Sequence, residues 1–143
     1  MRNALLKALV VLAIAPTAAG ELLESVTQAA KDNLASAYLE NLALGAENQL
    51  KDKGLNDEEA EQLAKVAARQ WIDCMVDEFE KDDSDTSVAY ILFVSEGKEL
   101  FSSKLMRQTF SAEEYQEHEK RHVTFLWRCQ EMVKSEHHIE VPY

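Results

Sequence analysis

Apolar side chains recur at steps of three and four residues along most of this chain, which is the spacing of one face of an α-helix. The longest such stretch runs from Glu21 to about Lys53, and Gly54 after it suits the left-handed conformation that ends many helices. Its apolar stripe comprises Leu22, Val26, Ala29, Ala30, Leu34, Ala37 and Leu44. With 4 glycines and 2 prolines, the chain has too few turn residues for a many-stranded fold. We therefore expect an all-α protein with four to five helices in a compact bundle.

Two further helices are marked by their first residues. Asn56 is a favourable N-cap, and three acidic residues follow it at the positive end of the helix dipole. We expect this helix to end near Lys81, before an acidic linker. Ser111 and Glu114 have the spacing of a capping box, which predicts a last long helix that runs to about Glu136. Its apolar face is expected to hold Tyr115, Phe125, Leu126, Cys129, Met132 and Val133, with Val123 and Trp127 widening the buried surface.

The segment from Val88 to Val94 is apolar without interruption, so its periodicity does not distinguish a buried strand from a buried helix. We favour a helix, because Asp85 can serve as N-cap and Gly97 can end it. A strand would have no evident partner apart from the extended tail of the chain. A short helix is expected next, through Leu100, Phe101 and Leu105.

The first nineteen residues have the order of a secretory signal peptide. Arg2 and Lys7 form a cationic start, an apolar run from Ala8 to Ala15 follows, and small residues precede Gly20. We expect cleavage before Gly20 and a mature protein that is periplasmic or secreted.

The expected mature chain, residues 20–143, has the size of one helical domain, and we expect an extended tail from about residue 137. Loss of Arg2 and Lys7 changes the net charge from -11 to -13. An acidic balance this strong repels nucleic-acid phosphates and anionic lipids, so we expect no nucleic-acid partner. The longest later apolar run has seven residues, against about 20 that cross a bilayer, so we expect no membrane insertion after the signal is removed.

The chain has two cysteines, Cys74 and Cys129, and in an oxidising compartment such a pair usually forms a disulfide. Each lies in the middle of an apolar stripe, Cys74 on the second helix and Cys129 on the last. A bond between them would clamp these two helices with both stripes facing inward.

One string resembles a catalytic motif: His118-Glu119-Lys120-Arg121-His122 has the His-Glu-x-x-His pattern of zinc peptidases. The two middle positions, usually uncharged in those enzymes, are charged here. A third metal ligand could come only from the end of the chain, from Glu136, His137, His138 or Glu140. We therefore expect no catalytic residues, no cofactor and no preorganised metal site; if a metal binds, His118 and His122 are the candidate ligands.

The same two histidines fall within the helical arc of Phe125, Leu126 and Cys129, so they should face the core or its rim. Half-buried imidazoles titrate near neutral pH or slightly below, which makes them candidate pH sensors.

These observations favour a small acidic helical protein that acts as a non-catalytic binding or interaction module, of an inhibitor, immunity or chaperone-like kind. The expected partner is another envelope or secreted protein that is neutral or basic. The first alternative is a metal- or pH-responsive envelope protein that uses His118 and His122. The second is a minimal zinc metallopeptidase.

Overall fold

The computed structural model describes the backbone of residues 16–99 and 103–141 and the side chains of residues 23–99 and 103–141. Within these ranges the chain forms five helices and no strand. The helices are α1 (Pro16–Asp52), α2 (Asp57–Lys81), α3 (Asp85–Ser95), α4 (Lys104–Thr109) and α5 (Ala112–His137). The all-α prediction is confirmed. The expected signal peptide lies outside the described residues, apart from the backbone of 16–19.

The turn between α1 and α2 forms as the local sequence predicts. Gly54 has a φ of 96°, and the Leu55 amide donates back to the Leu50 carbonyl at 3.2 Å, which satisfies a free carbonyl at the end of α1. Asn56 caps α2, since its side chain accepts a hydrogen bond from the Glu59 amide at 2.9 Å. The chain therefore reverses direction, and α2 packs along α1.

Small residues dominate the contact between α1 and α2. Their side chains are fully buried and allow close approach of the two backbones. They are Ala46 on α1 and Ala60, Ala64, Ala67 and Ala68 on α2. The largest fully buried side chain among the described residues is Phe79, near the end of α2, and it was not among the predicted core residues.

The buried face of α1 differs from the predicted stripe at Leu44, which is 64% exposed. The face continues instead through Leu42, Ala46 and Leu50, all buried. Because four residues turn a helix by about 400°, buried positions spaced by four shift by about 40° at each step, and the buried face of α1 winds around the helix. This matches the change in the element that packs on α1: Asn33 contacts the end of α3, whereas Gln49 contacts Glu140 in the tail.

The apolar segment Val88 to Val94 is helical, as favoured from the sequence. Its N-cap is Ser84 rather than the expected Asp85: the Ser84 hydroxyl accepts the Ser87 amide at 3.3 Å. The Asp82 carboxylate accepts hydrogen bonds from the hydroxyls of both serines, which holds Ser84 in the capping position.

The C-terminal end of α3 is closed by Gly97, with a φ of 75°, and by a side chain from α1. Asn33 donates to the carbonyls of Val94 and Ser95 at 3.0 and 2.9 Å, which fixes α3 against α1. The predicted short helix begins later than expected, at Lys104. Of its predicted residues, Leu105 is helical, whereas Leu100 and Phe101 lie outside the described residues.

The last helix, α5, has the predicted capping box of Ser111 and Glu114. The disulfide between Cys74 and Cys129 is present, with Cα atoms 5.7 Å apart, and it clamps α2 to α5. Val123 and Trp127, expected to be buried, are 52% and 59% exposed. Each lies two positions before a buried residue, Phe125 or Cys129, and two positions turn a helix by about 200°. Val123 and Trp127 therefore face the side of α5 that no described helix covers.

The tail after α5 packs on its own domain. Ile139 and Val141 are buried in the core, and the Val141 amide donates to the Gln130 side chain at 3.2 Å. The backbone of Glu140 exchanges two hydrogen bonds with the Gln49 side chain on α1. The tail therefore fastens the last helix to the first.

Candidate ligand-binding site

A pocket of about 310 Å³ opens between α1, α3, α4 and α5. This volume lies at the small end of the range for small-molecule sites, about 300 to 1,000 Å³. Its lining combines aromatic, acidic and imidazole side chains with two apolar ones. The described lining residues are Leu34, Tyr38, Tyr90, Glu99, Ser103, Met106, Tyr115, His118, Glu119 and His122.

The two histidines of the His-Glu-x-x-His string meet at this pocket because residues four apart share one side of a helix. His118 is 4% exposed and His122 is partly buried, so the prediction that both face the core or its rim is confirmed. Their ring centroids are 6.2 Å apart. The His118 ring also lies 5.6 Å from Phe79 and 5.5 Å from Tyr90, so the pocket wall is continuous with the core.

Burial keeps both imidazoles neutral. It lowers the pKa of His118 to about 4, with smaller contributions from His122 and Arg121, and it also lowers the pKa of His122. Among the described residues, nothing accepts or donates a hydrogen bond at the buried Nδ1 of His118. A protonated ring would need an acceptor there. The near-neutral titration expected from the sequence is therefore wrong for His118, because the ring is almost fully buried rather than half-buried.

Three tyrosines from three helices contribute to the wall: Tyr38 from α1, Tyr90 from α3 and Tyr115 from α5. Burial raises the pKa of the Tyr38 and Tyr90 hydroxyls, so both stay protonated. The guanidinium of Arg107, on α4, lies 5.1 Å from the centroid of the Tyr115 ring. The aromatic side chains thus converge from elements that are distant in the sequence.

Glu99 is the buried acid of the pocket, with an exposure of 6%. It accepts a hydrogen bond from the Leu105 amide at 2.7 Å, at the start of α4. Burial nevertheless raises the pKa of the Glu99 carboxyl, since the amide bonds only partly replace water. The second acid, Glu119, is exposed at the rim. No lysine or arginine belongs to the described lining.

The other ligands considered for a metal do not reach the pocket. His137 is hydrogen-bonded to Gln70 at 2.6 Å, and about 28 Å of helix separates it from His118. Within residues 23–99 and 103–141, no three histidine, cysteine, aspartate or glutamate side chains form a group that could hold a metal ion. The structure therefore brings together His118, Glu119 and His122, but not the tail residues.

The two histidines were predictable as site residues because their spacing is local. Tyr38, Tyr90 and Glu99 were not, because they lie on separate elements and carry no local pattern. Only the packing of α3 against both α1 and α5 brings them together.

No protein-family model, curated protein or solved structure matches this chain. In the part of the chain that the structure describes, no helix is both long enough and apolar enough to cross a membrane.

Proposed function

We propose that this chain is an exported, non-catalytic binding protein and that the pocket between α1, α3, α4 and α5 is its binding site. The observation that carries the proposal is the lining: eight of its ten described side chains have polar groups or aromatic rings. A simple packing defect in a helical core would be lined by aliphatic side chains. A small pocket with a few converging polar groups is typical of a ligand site.

Two features support export. The first nineteen residues have the order of a signal peptide. The bond between Cys74 and Cys129 is of a kind that persists in oxidising compartments such as the periplasm or the extracellular space. Together they favour a periplasmic or secreted binding protein.

The arrangement of His118 supports binding rather than catalysis. A histidine that acts as a general base is normally oriented by a hydrogen bond at its second nitrogen. The buried Nδ1 of His118 has no such partner among the described residues. A zinc peptidase would need a third ligand near His118 and His122, and the tail candidates lie at the opposite end of α5.

The experiment is a ligand-observed NMR screen of small polar fragments against the disulfide-bonded protein. Ser103→Phe adds bulk at the pocket, and Ser103 makes no side-chain cap hydrogen bond that the change would remove. Gln108→Phe adds the same bulk at an exposed position of α4 and is the matched control. Fragments should bind the wild type and Gln108→Phe but not Ser103→Phe. Binding that is equal in all three proteins, or absent from the wild type, would contradict the proposal.

The exposed edge of α5 favours a second candidate function, the binding of a neutral or basic protein. Val123 and Trp127 are exposed and four residues apart, so they form one apolar edge. Tryptophan is enriched among residues that dominate binding energies. The net charge, -11 for the full chain and -13 without Arg2 and Lys7, would attract a basic partner.

A pull-down from envelope extract tests this second candidate. Trp127→Ala should remove the captured protein, whereas Leu44→Ala, which truncates another exposed apolar side chain, should not. A captured protein that both variants retain would contradict a role for the α5 edge.

A further inference from the structure

We infer that the ligand of the pocket is a small organic cation, either a quaternary ammonium compound or a protonated amine. The inference rests on the proposed function and specifies the ligand class of the same site. It depends on three properties of the lining: its charges, its aromatic rings and the environment of Glu99.

The charges of the pocket exclude an anionic ligand. The described lining contains two carboxylates, Glu99 and Glu119, and no lysine or arginine. His118 is 4% exposed, and burying a charged ring is costly, so its imidazole is a poor source of positive charge.

Arg121 is near the pocket but outside its lining, and its Nε atom lies 3.7 Å from a carboxylate oxygen of Asp82. Arg107 lies outside this lining, with its guanidinium against the Tyr115 ring. The described lining itself is therefore negatively charged and offers an anion no ion-pair partner.

The aromatic rings favour a cation over a neutral ligand. Aromatic rings attract cations through their electron-rich faces, and several rings around one site form a cage for ammonium groups. Here Tyr38, Tyr90 and Tyr115 contribute phenol rings from three helices. The Tyr115 ring already attracts the Arg107 guanidinium, so the rings of Tyr38 and Tyr90 are the main candidates to contact a bound cation.

Glu99 supplies the counter-charge. Its carboxylate is buried and, among the described residues, it accepts hydrogen bonds from backbone amides and has no cationic side chain paired with it, so its negative charge is incompletely compensated. A bound ammonium group would supply that compensation. A neutral ligand of the same shape would not, and should bind more weakly.

A metal ion is a poorer occupant than an organic cation. It would require at least three converging nitrogen, oxygen or sulfur ligands, and the described side chains offer no such group. An organic ammonium ion needs ring faces and one or two carboxylates rather than a coordination shell.

The test measures binding of matched probes by calorimetry. Choline and n-butylammonium are the cations, 3,3-dimethylbutan-1-ol and n-butanol are uncharged probes of similar size, and butyrate is the anion. We expect at least one cation to bind about tenfold more tightly than its uncharged counterpart. Butyrate should not bind. Equal or tighter binding of the alcohols or butyrate would overturn the inference.

Two variants locate the interaction. Glu99→Gln removes the charge but keeps an oxygen that can accept the Leu105 amide, and it should weaken cation binding about tenfold. Glu96→Gln removes an exposed acid outside the pocket and should leave the affinity unchanged. Equal effects of the two variants would mean that general surface charge, and not the pocket, attracts the cation.

The outcomes separate the inference from the proposed function. If no cation binds while other fragments bind in a manner blocked by Ser103→Phe, the cation inference is wrong and the binding function stands. If no small molecule of any charge is blocked by Ser103→Phe, both are wrong.

Discussion

The ring of His118 lies 5.5 Å from the ring of Tyr90, and this contact joins α5 to α3 in the wall of the pocket. Both rings also contact Phe79 of α2, the largest fully buried side chain. The pocket is therefore built directly on the core. Its shape depends on the same contacts that hold the bundle together, and the clamp between α2 and α5 contributes to both.

Removal of the disulfide should destabilise the fold. Cys74 and Cys129 are 55 residues apart, and in the chain-entropy account a loop of this length contributes about 4 kcal/mol. Replacing both cysteines by alanine should lower the free energy of unfolding by an amount of this order, measured by urea denaturation. The reduced wild type should behave like the double variant. A reduced protein as stable as the oxidised one would contradict this role.

Acidification should destabilise the protein through His118. Its pKa is lowered to about 4 in the fold, against about 6.5 in an unfolded chain, so the unfolded state binds more protons between these values. The contribution of His118 to the free energy of unfolding should therefore be complete above about pH 6.5 and decrease as the pH falls toward 4. Because the ring borders the pocket and is partly screened, we expect a loss of about 2 kcal/mol.

His118→Phe isolates this contribution, because phenylalanine keeps an aromatic ring but cannot be protonated. Urea denaturation at pH 7 and pH 4.5 should show a smaller difference in the variant than in the wild type. The same difference in both proteins would mean that other groups account for the acid sensitivity.

Substitution of Asn33 should show how much the side chain from α1 stabilises the C-terminal end of α3. Asn33 donates to two carbonyls at the end of α3, and Asn33→Ala leaves both without this partner. We expect a loss of about 1 to 2 kcal/mol in thermal or urea unfolding. Asn41→Ala, at an exposed position on the same helix, is the control and should have little effect. Equal losses would indicate a general effect of alanine substitution in α1.

Zinc should bind weakly at most. His118 and His122 have no third ligand in reach among the described residues, and a ligand present at its dissociation constant stabilises a fold by only about 0.4 kcal/mol. Adding zinc should therefore raise the melting temperature only slightly, and Glu119→Ala should leave the fold unchanged. Stoichiometric zinc that survives dialysis against a chelator, with peptidase activity lost in Glu119→Ala, would instead establish the metalloenzyme.

Three helix ends were predictable because caps are local, although the start of α3 lies one residue from the predicted position. Asn56, Ser111 and Gly54 each act on backbone groups within a few residues, and each lies where the sequence indicates. The disulfide was predictable as well, because both cysteines lie on inward-facing stripes.

The choice of buried face was less predictable, because it depends on which helices lie alongside. Leu44 and Trp127 have the spacing of core residues but face the surface, since no described helix covers those sides. The pocket was unpredictable for the same reason, because Tyr38, Tyr90 and Glu99 line one site only after the helices have packed. Such contacts have no signature in a single sequence.

Binding of a ligand in the pocket is tested most directly by the ring NMR signals of His118 and His122 during a titration with choline. The account predicts saturable shifts of these two signals and of the Tyr115 ring, with the Trp127 indole unchanged and the shifts reduced in Glu99→Gln. Histidine signals that stay unchanged while the Trp127 indole shifts, or the absence of any saturable shift with choline and with n-butylammonium, would contradict cation binding in the pocket.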